Sequence, residues 1–576
     1  MLDYAIRGGM VVDGTGTPPR RADVGIRDGR IVTVGTVEEP ARKDLDATGL
    51  MVAPGVIDPH THYDAQLFWD GAASPSNLHG VTSVLSGNCG FTLAPINEVD
   101  ADYTRRMMAK VEGMPLVALE QGVPWNWSSF AEYLDRLEGR IGVNAGFLVG
   151  HCALRRKVIG AERGGEVASE SEVAEMRRLL AESLDAGGLG FSSSQSRTHS
   201  DGDGNPVTSR FADRTEMLAF CEEVGRHEGT TLEYITNGCL DMFSDEEIDL
   251  MVAMSTTAQR PLNWNVLTVD SKSRDKVERQ LEASRAASAA GGRIVALTMP
   301  TLVPMNMSFR NFCALFLIPG WGDVMGLPVP ERMAALSKPE VRAQLDELAH
   351  AEEAGVFRRL SNWGNYIIGD TYSKENERYQ WRAVADIASE QGKKPFDTLL
   401  DLVISDDLQT VLWPKASDGD DASWQLRASL WQDGDVLLGG SDAGAHLDRM
   451  CGSNYPTAFL RDCLRGRKLT SVERAVQMMT DDPAKLFGIR DRGQVAEGMF
   501  ADLMVFDPET VGSEPAQLVD DLPGGSPRLF AASEGVHLVL VNGTETVVDG
   551  KPTGAEAGTL LRSGRDTYTV SPAARS

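Results

Sequence analysis

The chain has 576 residues, 42% hydrophobic, 24% charged and 7% aromatic, a globular composition on a length beyond one small core. Its 83 acidic and 56 basic residues leave a formal charge of −27. Such a surface repels phosphate backbones and anionic bilayers, so neither nucleic acid nor membrane is expected as a partner.

No apolar run approaches the roughly 20 residues of a spanning helix. The start, MLDYAIRGGMVVDGTG, lacks the basic and apolar regions of a secretory signal. Seven cysteines are scattered without paired spacing, which fits free thiols in a reducing cytoplasm better than a disulfide framework.

Residues 1–57 read as short strands broken by Gly8-Gly9, Asp13-Gly14 and Asp28-Gly29, ending in the apolar run Leu50–Ile57. From 58 to 490, strand-like runs alternate with helical patterns. Strands are predicted at 80–86, 142–150, 190–193, 230–235, 293–298 and 435–441, with helices near 169–186, 214–228 and 275–290. This alternation predicts a (β/α)8 TIM-like barrel. Residues 304–379, rich in Met, Trp and Phe but without strand rhythm, are expected as an insertion over one barrel mouth. Short strands return over 491–576, so a small β-sandwich domain formed by both chain termini is expected beside the barrel.

The densest chemistry follows the first apolar run, at Asp58-Pro59-His60-Thr61-His62. Residues two apart in an extended chain point the same way, so His60 and His62 project together, and two imidazoles at a strand end suit a zinc-class ion. The chain has only nine histidines, which makes a chance pair at this position less economical. Asp442, after the late run Leu437-Leu438-Gly439-Gly440, can bind a metal and take a proton from water. A turn aspartate or a helix N-cap is the plainer alternative for it. His446 is read as either a site residue or the first turn of a helix.

Together, Pro54–His62, the late Gly440-Ser441-Asp442 and Ala501-Asp502-Leu503 resemble the amidohydrolase superfamily. Within it, Ser86-Gly87-Asn88-Cys89-Gly90, Gly150–Arg155, Gly188–Ser192 and Val539–Gly543 resemble the N-acyl-D-amino-acid deacylase (D-aminoacylase) branch. The resemblance runs nearly end to end. It implies hydrolysis of an amide C–N bond in an N-acyl amino acid or related small molecule, with Asp442 catalytic. It also implies that Cys89 binds or bridges zinc, and that Arg449 lies where the branch grips a substrate carboxylate through arginine's fork. His151, Arg197 and His199 fall at positions suited to a barrel mouth or substrate loop.

The pattern departs from the superfamily at the fifth and sixth strands, which usually carry histidines. Here they read Thr231-Leu232-Glu233-Tyr234-Ile235 and Leu262-Asn263-Trp264-Asn265. Glu233 can replace one ligand, whereas Asn263 and Asn265 are poor ligands but good amide donors. One zinc ion is therefore favoured over two, with His151, Glu233, Asn263, Asn265, Arg449 and His446 as substrate-binding candidates. Other readings stay open. One is a same-fold hydrolase of a cyclic amide, lactone or deaminable ring; another is a non-catalytic relative that lost its metal ligands. A homo-oligomer is compatible with the pattern.

Overall fold

The computed structural model describes residues 1–310 and 313–573. They divide into two units, one of residues 1–303 with 421–576 and one of residues 304–420.

Eight parallel strands form the centre of the first unit. They are β1 (Val56–Asp58), β2 (Val81–Ser86), β3 (Asn144–Phe147, continued by Val149–Gly150), β4 (Gly190–Ser194), β5 (Thr231–Ile235), β6 (Leu262–Trp264), β7 (Ile294–Thr298) and β8 (Val436–Leu438). Each pairs with the next, and a parallel bridge between Thr61 and Ala443 joins the last to the first. This is the expected (β/α)8 barrel. Ile57, Leu85, Leu148, Val295, Leu297 and Leu437 form one buried aliphatic cluster, with Leu486 and Phe487 in the same group. Their strand positions make this the filled interior of a TIM barrel, a packed core that leaves the strand ends free for chemistry.

Intervening helices form for ordinary local reasons. Helix Glu170–Asp185 starts at a capping box in which Ser169 and Glu172 satisfy each other's backbone N–H groups, and it buries Met176, Leu180 and Leu184. Its apolar face joins the large cluster around the barrel.

Both termini contribute to one nine-stranded sheet. Strand Met51–Pro54 pairs with Leu503–Phe506, which pairs in turn with Val536–Val541. The cluster holding Ile6, Val24, Ile26, Ile31, Val505 and Leu538 draws on both ends of the chain. Asp502 ties this sheet to the barrel, accepting from Arg492, from Asn144 Nδ2 at 3.0 Å and from Asn542 N at 2.7 Å.

Two boundaries differ from expectation. Val56 and Ile57, placed with the terminal strands by their continuous apolar run, belong to β1. The C-terminal segment does not stay wholly in the small domain, because Leu560–Leu561 pairs in parallel with Asn144–Phe147 of the barrel.

The second unit runs to Asp420 rather than ending near 379. Helices Val384–Gln391 and Pro395–Ser405 look like barrel helices in sequence. Their apolar faces instead join a separate core in which Trp363 stacks on Phe396 at 4.5 Å and on Trp321 at 5.7 Å. A short antiparallel pair, Tyr366–Ile368 with Leu412–Pro414, completes it. Among the described residues no helix is long and apolar enough to cross a membrane.

Candidate metal centre

Three strand ends bring the central donors together. After β1, Thr61 turns into the barrel wall, its hydroxyl donating to Leu85 O at 2.9 Å, and His60 and His62 flank it. After β2, the turn Asn88–Gly90 carries Cys89 at φ 57°. Non-glycine residues hold such a backbone only where surroundings fix it, and such positions cluster at functional sites. Here Asn88 Nδ2 donates to Thr61 O at 3.1 Å and Leu85 O at 3.0 Å, while Cys89 N donates to Glu233 Oε2 at 2.9 Å.

After β8, Asp442 adopts φ 52° in a glycine-rich turn. A Cβ on Gly440 would lie 2.2 Å from Asn265 Oδ1, and one on Gly444 would lie 2.6 Å from the backbone carbon of His62. Only glycine lets this turn approach so closely. His62 N donates to Ala443 O at 2.7 Å, so barrel closure itself sets the histidines against Asp442.

The resulting separations are short. His60 Nε2 and His62 Nε2 lie 3.5 and 4.0 Å from Cys89 Sγ, and 3.3 and 3.8 Å from Asp442 Oδ1. Donor atoms of His60, His62 and Cys89 all fall within 4.8 Å of one another, and all three residues are buried. Ligands about 2.0–2.3 Å from a tetrahedral zinc ion are separated by roughly 3.3–3.7 Å. The histidine–thiol and histidine–carboxylate separations are at or just above that edge, so His60, His62 and Cys89 fit such an ion, with Asp442 approaching from the histidine side.

The protonation tendencies fit as well. Burial first, and then the charge of Asp58, raises Asp442 to about 7. Burial raises the Cys89 thiol well above its usual value, with Glu233, Glu112 and Asp442 adding to the rise. The same burial lowers His62 to about 3 and holds His60 well below its ordinary value. Imidazoles kept neutral and acids that resist ionisation without a nearby cation form a donor set whose charge a metal would balance.

A model of the amidohydrolase family matches residues 44–553. The chain belongs to the amidohydrolase family. It is 29% identical to the D-aminoacylase of Alcaligenes xylosoxydans xylosoxydans over 567 residues, covering 97% of each chain. It is also 29% identical to the N-acyl-D-aspartate deacylase of the same organism, covering 98% of this chain and 95% of that one. A solved D-aminoacylase, 25% identical with a TM-score of 0.62, covers 98% of this chain and 100% of its own. That protein is described as having a binuclear metal centre with one-metal activation and second-metal attenuation.

The remaining expected site residues of this amidohydrolase divide into those near the cluster and those away from it. Glu233 reaches the cluster, but Oε2 is committed to the backbone of Cys89, while its buried Oε1 has no hydrogen-bond partner. Burial raises it well above the usual carboxylate range. Asn263, beside Glu233 in register, donates Nδ2 to Leu232 O at 3.0 Å. Asn265 donates Nδ2 to Asp442 Oδ1 at 3.1 Å. Both asparagines are expected as amide donors for substrate; each has one N–H engaged, by a strand carbonyl or by Asp442, and one N–H left.

His446, at φ 51°, donates its backbone N–H to Glu112 O, and its Nδ1 lies 2.9 Å from Arg449 Nη2. Arg449 Nη1 meets Asp448 Oδ1 at 3.1 Å, so its fork is not free in the form expected for a carboxylate clamp. His199 stands near the pair, its Nδ1 2.7 Å from Ser194 Oγ and its ring edge-on to Phe91. Arg197 is exposed and bonds Asn237 Oδ1.

His151 does not join the cluster. Its Nδ1 lies 2.8 Å from Ser193 Oγ and its Nε2 lies 2.7 Å from Glu216 Oε1, and Arg155 holds the same carboxylate. With both ring nitrogens engaged, a substrate-binding role for His151 has no donor left to carry it.

Sequence reading passed over Glu112. It follows helix Ala101–Val111, is 2% exposed, and places Oε1 3.5 Å from His62 Nδ1. No spacing marks it, because it joins the site through the tertiary fold. Asp58 and Asp64, both buried beside the histidine motif, were legible as neighbours but not as a carboxylate shell. Asp58 accepts from Ser441 Oγ, and Asp64 Oδ2 accepts from Gly87 N at 3.2 Å.

Proposed function

We propose that this amidohydrolase cleaves the amide bond of N-acyl amino acids, with D configuration favoured by its end-to-end likeness to D-aminoacylase. The observation that carries the reading is the convergence of His60, His62, Cys89 and Asp442 at 3.3–4.0 Å across the histidine edges. These four residues would hold an ion of the zinc class. When bound, it supplies Lewis acidity and acidifies a water molecule.

The protein groups divide the remaining work. His60 and His62 stay neutral and keep their Nε2 lone pairs on the cluster. Asn265 orients the Asp442 carboxylate by donating to Oδ1. Asp442 accepts a proton from the attacking water as the water oxygen bonds to the carbonyl carbon, and returns it to the leaving nitrogen. The C–N bond then breaks to give a carboxylate and a free amine, with one water consumed.

We infer one catalytic ion per chain. Of the positions where a second would be held, Asn263 and Asn265 offer only neutral amide oxygens, poor ligands for zinc, and Glu233 supports Cys89 through one oxygen. Glu233 Oε1 is the carboxylate oxygen there without a hydrogen-bond partner; Asn263 Oδ1 and Asn265 Oδ1 are likewise without one but carry no charge. Metal analysis of the purified protein should give one equivalent of zinc; two tightly held equivalents would defeat the one-ion reading.

The substrate reading is tested by supplying N-acetyl-D- and N-acetyl-L-amino acids to zinc-loaded protein and measuring released amine. Amine release from D-substrates is expected. No release from any member, with ring opening of a hydantoin or lactone instead, would transfer the protein to the cyclic-substrate reading.

A further inference from the structure

Hydrolysis of an amide places negative charge on the carbonyl oxygen, and a neutral hydrogen-bond donor held in advance at that point stabilises it. The two asparagine amides beside the cluster each have one N–H drawn elsewhere and a single N–H left to offer. Asn265 Nδ2 already donates to Asp442 Oδ1 at 3.1 Å, and Asn263 Nδ2 donates to Leu232 O at 3.0 Å. His446 is differently placed.

Its Nδ1 lies 2.9 Å from Arg449 Nη2. Guanidinium groups donate and never accept, so Nδ1 must present its lone pair and the ring proton must sit on Nε2. The tautomer is therefore set by Arg449, and a doubly protonated ring would break that bond. The backbone is set as well, because His446 holds φ 51° and donates its N–H to the carbonyl of Glu112, the residue whose carboxylate approaches His62. Gly113 extends the same contact, since a Cβ there would lie 2.7 Å from Arg449 Nη1. The turn that leads from Asp442 to His446 is closed by Ala445 N donating to Asp442 O at 2.9 Å, and a Cβ on its Gly444 would lie 2.6 Å from the backbone carbon of His62, so His446 is held beside the metal cluster.

We propose that His446 is a catalytic residue whose Nε2–H donates to the substrate carbonyl oxygen as charge develops on it, and that Arg449 is the positioning residue that fixes this proton. The inference rests on the amide-hydrolase reading above. It replaces the carboxylate clamp expected of Arg449 with an indirect role.

The test uses zinc-loaded full-length protein, N-acetyl-D-amino acids, and a phosphonate analogue of the tetrahedral species. His446→Ala should lower kcat by about 10²–10³-fold, as removal of one oxyanion donor does elsewhere. KM should change less than threefold, zinc content should stay at the wild-type value, and phosphonate affinity should fall in proportion to kcat/KM. His446→Gln, which keeps an N–H donor, should recover part of the loss. Arg449→Met should reduce kcat in the wild-type background and have no further effect when added to His446→Ala.

A His446→Ala protein with kcat within threefold of wild type, or with unchanged phosphonate affinity, overturns the proposal. So does loss of zinc in that variant, which would make His446 part of the metal cluster. If the wild-type protein releases amine from no N-acyl amino acid, the functional reading and this inference fall together. An active wild type with an equally active His446→Ala sinks this inference alone.

Discussion

His151 and His60 are equally hidden from solvent, both fully buried, yet their ring nitrogens meet opposite surroundings. Both His151 nitrogens have partners within 2.8 Å, and the Glu216 carboxylate that receives Nε2 is itself held by Arg155. At His60, Nδ1 has no partner, and Nε2 faces only a thiol and a carboxylate at 3.5 and 3.3 Å. Burial alone therefore does not mark a functional histidine. Unspent lone pairs converging on one point do, because a buried polar group left unsatisfied costs about 1–3 kcal/mol unless something binds there.

The largest effect should come from breaking the converging set. His60→Ala or His62→Ala should abolish stoichiometric metal binding and lower amidase activity on the order of 10³-fold or more, since the ion supplies several kcal/mol of transition-state stabilisation. Metal analysis beside initial rates checks this, and retention of both metal and activity would exclude the proposed centre. Next comes the group that orients Asp442. Asn265→Ala should reduce activity by about 10–100-fold with the barrel intact, the usual range for groups that steer a ligand. A change under twofold would show that Asp442 needs no such support.

On the other side of the comparison, His151→Gln should cost about 1–3 kcal/mol in denaturant unfolding while zinc content stays unchanged. Loss of zinc with wild-type stability would invert the contrast drawn between the two histidines.

The most gradual effect is a slope. Asp442 is raised to about 7 in the folded protein from an ordinary value near 3.8, so the folded state holds its proton where the unfolded state has lost it. This stability is fully present below pH 3.8 and is lost as pH rises towards about 7. In chelator-stripped protein, Asp442→Asn should flatten the fall in stability between about pH 4 and pH 7, a change bounded by about 1.4 kcal/mol per pH unit for one proton. Identical slopes for the two proteins would show that Asp442 is not the group responsible.

The barrel was legible because its strands are short apolar runs punctuated by glycine, and its helices carry the 3.6-residue period. The histidine pair and Asp442 were legible because each directly follows such a run. Cys89 was marked only by the family likeness, since a buried thiol has no periodicity of its own. His151 misled for the same positional reason that made His60 correct: both follow a barrel strand. What separates them is Glu216, on helix Arg214–Arg226 and far along the sequence. Glu112 was invisible for a related reason, because its contacts with His62 and His446 join three distant segments. The extent of the second unit was misjudged because amphipathic helices do not announce which core they will cover.

Parallel pairing of Leu560–Leu561 with Asn144–Phe147 has a consequence for the order in which the molecule is made. The barrel's third strand receives one of its two edge partners from more than four hundred residues downstream. Beyond that pair, Tyr568 N donates to Gly488 O at 2.8 Å, and Thr567 Oγ1 donates to Gly229 O at 2.7 Å, so the tail also fastens two later parts of the barrel. During synthesis the nascent barrel must wait with an unpaired strand edge until residue 561 has left the ribosome. Unpaired edges recruit other strands, and in the finished fold it is the tail that covers this one.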